Sequence, residues 1–285
     1  MFKTIVVTTN RNLFRSITFR LSLIILSVVA IVTALRGFHG TYDMSLNELI
    51  MDTDPRYVLK YDIFIQWLNN SVTSLLLYIV PFFSIIATVI ILIRDYKDDF
   101  FEIEKAAGIK PFQYIFVRLL TLISIIYILS AVMNYFQVNL YVYTRGGVQG
   151  MDMKDYLVES FVRLTRIEFT RILPCITFYV CLTYLFGSFS RSAILSASLC
   201  MAYAIINYAV VLYSVAESGI FLNYLSHTAR KLQNYMHVYD TDKFESFVTL
   251  TNTSSTDAAL CISFLIGCGI LFAGLCYVLV RKREQ

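Results

Sequence analysis

Charge, proline and histidine are all scarce in this 285-residue chain, and each shortage excludes something. Charged residues make up 15%, where a soluble globular domain carries about 25%. With 57% apolar residues and a mean hydropathy of +0.64, the chain has the composition of a polytopic membrane protein. Only four prolines occur and no low-complexity tract is present, so the expected organisation is one membrane domain over 1–285, without a linker or appended module. The three histidines, His39, His227 and His237, are too scattered to hold a metal. The six cysteines, Cys175, Cys181, Cys200, Cys261, Cys268 and Cys276, all sit inside apolar runs. They read as small packing residues, not as a disulfide or metal framework. No G-x-x-x-x-G-K-[ST], H-E-x-x-H or G-x-S-x-G occurs, so no residue is expected to be catalytic, cofactor-binding or metal-ligating. A cleavable leader is not expected, because Leu21–Leu35 runs into Arg36-Gly-Phe-His-Gly without a small-x-small site.

What the chain has in abundance is long apolar runs. Crossing about 30 Å of hydrocarbon takes about 20 mainly apolar residues. Six spans are expected, at about 17–35, 72–93, 114–138, 172–189, 193–215 and 258–280. Six spans put both termini on one side. Lys and Arg are about twice as dense in 1–20, 94–118, 186–193 and 281–285 as in 36–71, 142–171 and 216–257, which places the first group in the cytoplasm. The formal net charge of +4 therefore reports topology. No basic face interleaved with aromatics appears, so no nucleic-acid partner is expected. Before the first span, Thr9-Asn10 offers a cap, with Arg11 and Arg15 on one side and Leu13, Phe14 and Ile17 on another. That pattern predicts a short amphipathic helix against the lipid headgroups, or an ordinary basic flank of the first span.

Between the second and third spans the chain changes character. In 97–110, Phe100, Ile103 and Ala107 recur at helical spacing, and Phe101 and Ala106 widen the stripe. Asp98, Asp99, Glu102 and Lys105 fill the rest, with Glu102 and Lys105 three apart as a weak helical ion pair. Gly108 ends the helix and Pro111 follows three residues on. Spacing alone fits both a helix that docks into a cytoplasmic partner and a solvated loop that is merely helical.

At these residues the chain resembles the membrane-spanning permease subunit of bacterial type-2 ABC exporters. The resemblance lies in Phe100-Phe-Glu-Ile-Glu-Lys-Ala-Ala-Gly-Ile-Lys-Pro-Phe-Gln-Tyr114, in the tight cytoplasmic turn Leu185-Phe-Gly-Ser-Phe-Ser-Arg-Ser192, and in the six-span layout with its N-terminal amphipathic helix. It implies an all-α bundle in the bacterial plasma membrane that carries no cofactor of its own. It also implies lipid contact, a second permease chain (identical or a similar sibling) and cytoplasmic ATPase subunits that bind ATP and magnesium. Phe100, Phe101, Glu102, Glu104, Lys105 and Gly108 would then be the ATPase-coupling residues. The outer segment 142–171, with an interfacial helix expected over Met151–Leu173, is longer than the family pattern.

Polar residues within the apolar spans are the natural contacts for a transported substrate. Asn134 in the third span and Asn207 in the fifth are the pathway residues, unless each simply bonds a neighbouring helix. Arg118 lies near the cytoplasmic face and reads as a snorkelling anchor. Ala193/Ala197, Ser196/Cys200 and Ser198/Ala202 are small pairs four apart that permit close packing, within the subunit or at a dimer seam. Arg163, Arg166 and Arg171 are too irregular, with Glu159 and Glu168 interposed, for a voltage sensor, and no filter motif accompanies them. Two alternatives to an exporter stand. One is a mechanotransmission-type ABC permease that actuates an outer partner, for which 36–71, 142–171 and 216–257 are small. The other is a membrane protein that works without an ATPase.

Overall fold

The computed structural model describes residues 2–36, 79–97, 108, 111–144, 165, 168, 172–190, 192–213 and 267–275. Apart from Ser16, Gly108 and Ser192 the described residues are helical, with no strand among them. We number the helices α1 (Phe2–Arg15), α2 (Ile17–Arg36), α3 (Val80–Lys97), α4 (Pro111–Thr144), α5 (Leu173–Ser190), α6 (Ala193–Tyr213) and α7 (267–275).

The first two helices form an elbow. They bend by 70° at Ser16, whose amide donates to the Leu13 carbonyl at 3.0 Å as one helix closes and the next begins. Thr9 and Asn10 lie inside α1 and cap nothing, which corrects the expected start by two turns. Thr9 instead returns its hydroxyl to the Ile5 carbonyl at 2.7 Å, the usual way a buried helical threonine satisfies itself. The inward face of α1 is Ile5, Thr9, Asn12 and Leu13, while Phe14 and Ile17 are exposed. α2 presents Leu21, Ile24, Ile25 and Val28 outward. Water does not tolerate so continuous an apolar surface, whereas hydrocarbon does.

α4 and α5 are each long and apolar enough to cross a bilayer, and the bent α1–α2 pair would make a third span. α3 and α6 contain shorter apolar stretches, Val80–Ile93 and Ala193–Ile206. The spans expected at 72–93 and 258–280 begin or end outside the described residues. At 34 residues α4 is about 51 Å long, so it outreaches the hydrocarbon layer.

α3 sits at the centre, packed against α5, α6, α4, α1 and α2. Its inward face (Val80, Phe83, Ile85, Ala87, Ile91 and Leu92) joins a single apolar core with α5 and α4. The tightest crossing is at Gly187 of α5, where a Cβ would come within 2.5 Å of Leu92 Cδ1. Aromatic pairs fix the outer contacts: Phe19 stacks on Phe83 at 5.5 Å, and Tyr203 lies 5.7 Å from Phe178.

The turn between α5 and α6 is shorter than the sequence pattern implies. Residues 185–190 continue α5, and α6 begins at Ala193. Ser192 caps α6 by accepting the Leu195 amide at 3.3 Å, while Ser190 Oγ takes the Ser192 amide at 3.2 Å. Ala193, Ser196, Cys200 and Ala204 form the buried face of α6, and Ser196 donates to the Thr183 carbonyl of α5 at 2.5 Å. The Ser196/Cys200 pair therefore packs within the subunit, whereas Ser198 and Ala202 are exposed.

Candidate functional site

Ionisable and amide side chains in a membrane bundle are expensive to bury, so those that are buried mark places where something specific is needed. Two polar clusters stand out, both strung along α4 and separated by about 24 Å of helix, from Arg118 to Asn134.

The first cluster joins four helices at one end of the bundle. Asp95, near the end of α3, pairs with the Arg118 guanidinium on α4, and both side chains are buried. Tyr114 of α4 donates its hydroxyl to Asp95 Oδ1 and Tyr184 of α5 donates to Oδ2, each at 3.3 Å. Arg118 Nη1 also donates to Thr9 Oγ1 of α1 at 3.3 Å, and the guanidinium lies 5.2 Å from the Tyr114 ring centre. Tyr114 and Arg118 are four apart, so one helical face delivers the phenol and the cation to the same carboxylate. Arg118 is fully buried and does not snorkel to a headgroup layer. The reason is electrostatic: with a carboxylate within reach, the guanidinium gains more from a charge-assisted, multiply bonded site than from a partial return to water.

The second cluster lies toward the other end of α4. Asn134 is buried and donates its Nδ2 to Glu168 Oε1 at 2.5 Å. Tyr135 and Thr165 share a hydroxyl–hydroxyl bond of 2.7 Å beside it. Ser130 and Gln137 are buried on the same face of α4 as Asn134, at i−4 and i+3. Burial pushes the Glu168 carboxyl up to about 7, against the opposing pull of the Asn134 hydrogen bond. One of the two pathway asparagines thus has a carboxyl partner and belongs to a polar face.

Asn207 lies on α6, and its side chain falls outside the described residues. So do Phe100, Phe101, Glu102, Glu104 and Lys105 of the coupling segment. Gly108 is described: it is exposed, in a turn, with φ of 76°, the left-handed conformation that glycine adopts without strain. The segment before it, whose helix Gly108 is expected to end, lies outside the described residues. Among the described residues no group of three or more His, Cys, Asp or Glu is arranged to hold a metal.

Asp95 and Glu168 carry the two clusters, yet neither stood out in the sequence as a site. A signal existed for Asp95, which follows the apolar run that ends at Ile93 with only Arg94 between them. Its pairing with Arg118, across 23 residues, is a tertiary fact. Compared with known proteins, the chain matches no family model, no curated protein and no solved structure. Among the described residues, the geometry defines helices of membrane character with two buried polar centres.

Proposed function

We propose that this chain is the membrane subunit of an ATP-driven ABC exporter. It would form the translocation pathway with a second permease chain and take its drive from two cytoplasmic ATPase subunits that bind ATP and magnesium. Six spans in the bacterial plasma membrane, with both termini in the cytoplasm, belong to the same reading.

The observation that carries it is the placement of the Asp95–Arg118 cluster. Asp95 immediately precedes the 97–110 segment, and Tyr114 and Arg118 immediately follow it, so the cluster clamps the two ends of that segment together. A displacement of the segment reaches α3 and α4 as one body, and through Tyr184 and Thr9 it reaches α5 and α1. A solvated loop with no load to transmit needs no buried, four-helix clamp at its root. A segment that docks into a moving ATPase does.

Phe100, Phe101, Glu102, Glu104, Lys105 and Gly108 are the docking residues in this reading. The test is to look for an ABC ATPase in the neighbouring reading frames, co-express it with this chain, and follow co-purification and stimulated ATP hydrolysis. Glu102→Lys and Gly108→Leu should leave membrane insertion intact, since Gly108 is exposed in a turn and a Leu there adds only local strain in the left-handed backbone, and should abolish stimulated hydrolysis. Full hydrolysis and transport in both variants would overturn the assignment.

A further inference from the structure

Glu168 has an oxygen that the hydrogen-bonding of the bundle does not use. Oε1 accepts from Asn134, but Oε2 is buried without a hydrogen-bond partner, and the carboxylate makes no ion pair with any described residue. The whole residue is 1% exposed. A carboxylate held this way is half satisfied by one neutral amide, which does not compensate a buried negative charge. Either a proton neutralises it or a cation sits against Oε2.

The surroundings narrow the cation. Magnesium and calcium take six or more oxygens, and a single carboxylate with one amide falls well short of that. Among the described residues no group of three or more His, Cys, Asp or Glu gathers to complete such a shell. A primary ammonium asks for less: up to three acceptors, ideally with an aromatic face nearby. Oε2 supplies an acceptor that no group in the protein uses, beside the Asn134 amide that holds Oε1. Tyr127, on α4, lies within electrostatic reach of Glu168, while the Tyr135 hydroxyl is occupied by Thr165. These two phenols are the titratable groups that α4 brings to Glu168.

We propose that Glu168 and Asn134 form a binding site for one protonated amine. Proton and amine occupy the same oxygen and exclude each other, so binding of the amine releases the proton from the carboxyl. If the exporter reading holds, the cargo class is a cationic amine; the site itself is defined by the buried carboxyl and does not depend on an ATPase.

The test uses the full chain reconstituted in lipid, with infrared difference spectra of the carboxyl C=O band recorded across pH. The expected wild-type band belongs to a protonated carboxyl titrating near pH 7 and is missing in Glu168→Gln. Saturating methylammonium chloride should lower its midpoint by about one pH unit or more, since a bound cation favours the charged form. Potassium chloride at the same concentration should leave the midpoint in place. Asn134→Ala should keep the band and weaken the methylammonium effect at least tenfold, which guards against a Glu168 variant that fails to fold. An unmoved midpoint with methylammonium, or an equal shift with potassium, overturns the proposal. ATPase co-purification on the same preparation separates the two readings: loss of the amine effect with ATPase retained refutes only the site, and the converse refutes only the exporter.

Discussion

Arg118 and Asp95 hold each other inside the bundle, at a distance of 23 residues in sequence and on two different helices. The pair is not a surface ornament. Both side chains are buried, and three hydroxyls from Thr9, Tyr114 and Tyr184 bond the two charged groups.

Breaking one half of this pair leaves the other half charged and buried. Asp95→Asn or Arg118→Met alone should destabilise the protein by about 3–5 kcal/mol, whereas the double substitution should cost considerably less. Thermal unfolding of the four proteins in detergent gives the coupling energy directly. Strictly additive losses would show that the two residues do not act as a pair.

Gly187 should tolerate no side chain while Leu92 is present. Gly187→Ala would force its Cβ against Leu92 Cδ1, and Leu92 is itself buried and hemmed in by the core. The expected loss is about 1–3 kcal/mol, the usual range for overpacking. Adding Leu92→Ala to Gly187→Ala should recover part of it, read as a rise in melting temperature over the single Gly187 variant. No recovery in the double variant would mean that the crossing is held apart by something other than this contact.

Stability should depend on pH through Glu168. Its carboxyl is raised from 4.5 to about 7 in the folded protein, so the folded state holds this proton more tightly than the unfolded chain does. The associated stability is complete below about pH 4.5 and is lost as pH rises through about 7. Melting temperatures measured from pH 4 to pH 9, relative to Glu168→Gln, should therefore fall with rising pH. An identical profile in the two proteins would place the Glu168 carboxyl in the ordinary range.

Topology can be read by single-cysteine labelling in intact cells. Positions 105 and 252 are predicted to lie on opposite faces, with 252 outside, because the basic residues concentrate in the segments that include 94–118. A membrane-impermeant maleimide should label Asn252→Cys and spare Lys105→Cys. The reverse pattern would invert the bundle.

Much of the architecture was legible because hydropathy reports on the solvent around each residue. The runs near 17, 114, 172 and 193 each begin a helix within three residues of the expected position, since a backbone in hydrocarbon has no alternative to internal hydrogen bonds. Gly108 stood out as a glycine position for a similarly local reason, and its backbone is left-handed in a turn. Thr9-Asn10 misled, because a threonine that looks like a cap in a string of residues can equally bond the carbonyl four residues back once the helix starts earlier. Leu185–Ser192 misled in the same way: Gly187 looks like a turn residue, but here it serves a close helix crossing against Leu92.

What the sequence determined by itself, then, is the solvent of each segment: which stretches are apolar enough for lipid, and where basic residues gather. Tertiary structure alone decided the partners. Arg118 alone reads as an anchor and becomes the centre of a clamp only because α3 brings Asp95 alongside it. Asn134 reads equally as a pathway residue or a packing amide until Glu168 is placed against it. Apolar burial is additive along the chain and can be summed from composition. A buried charge is settled by one partner at about 3 Å, and that partner lies wherever the fold puts it.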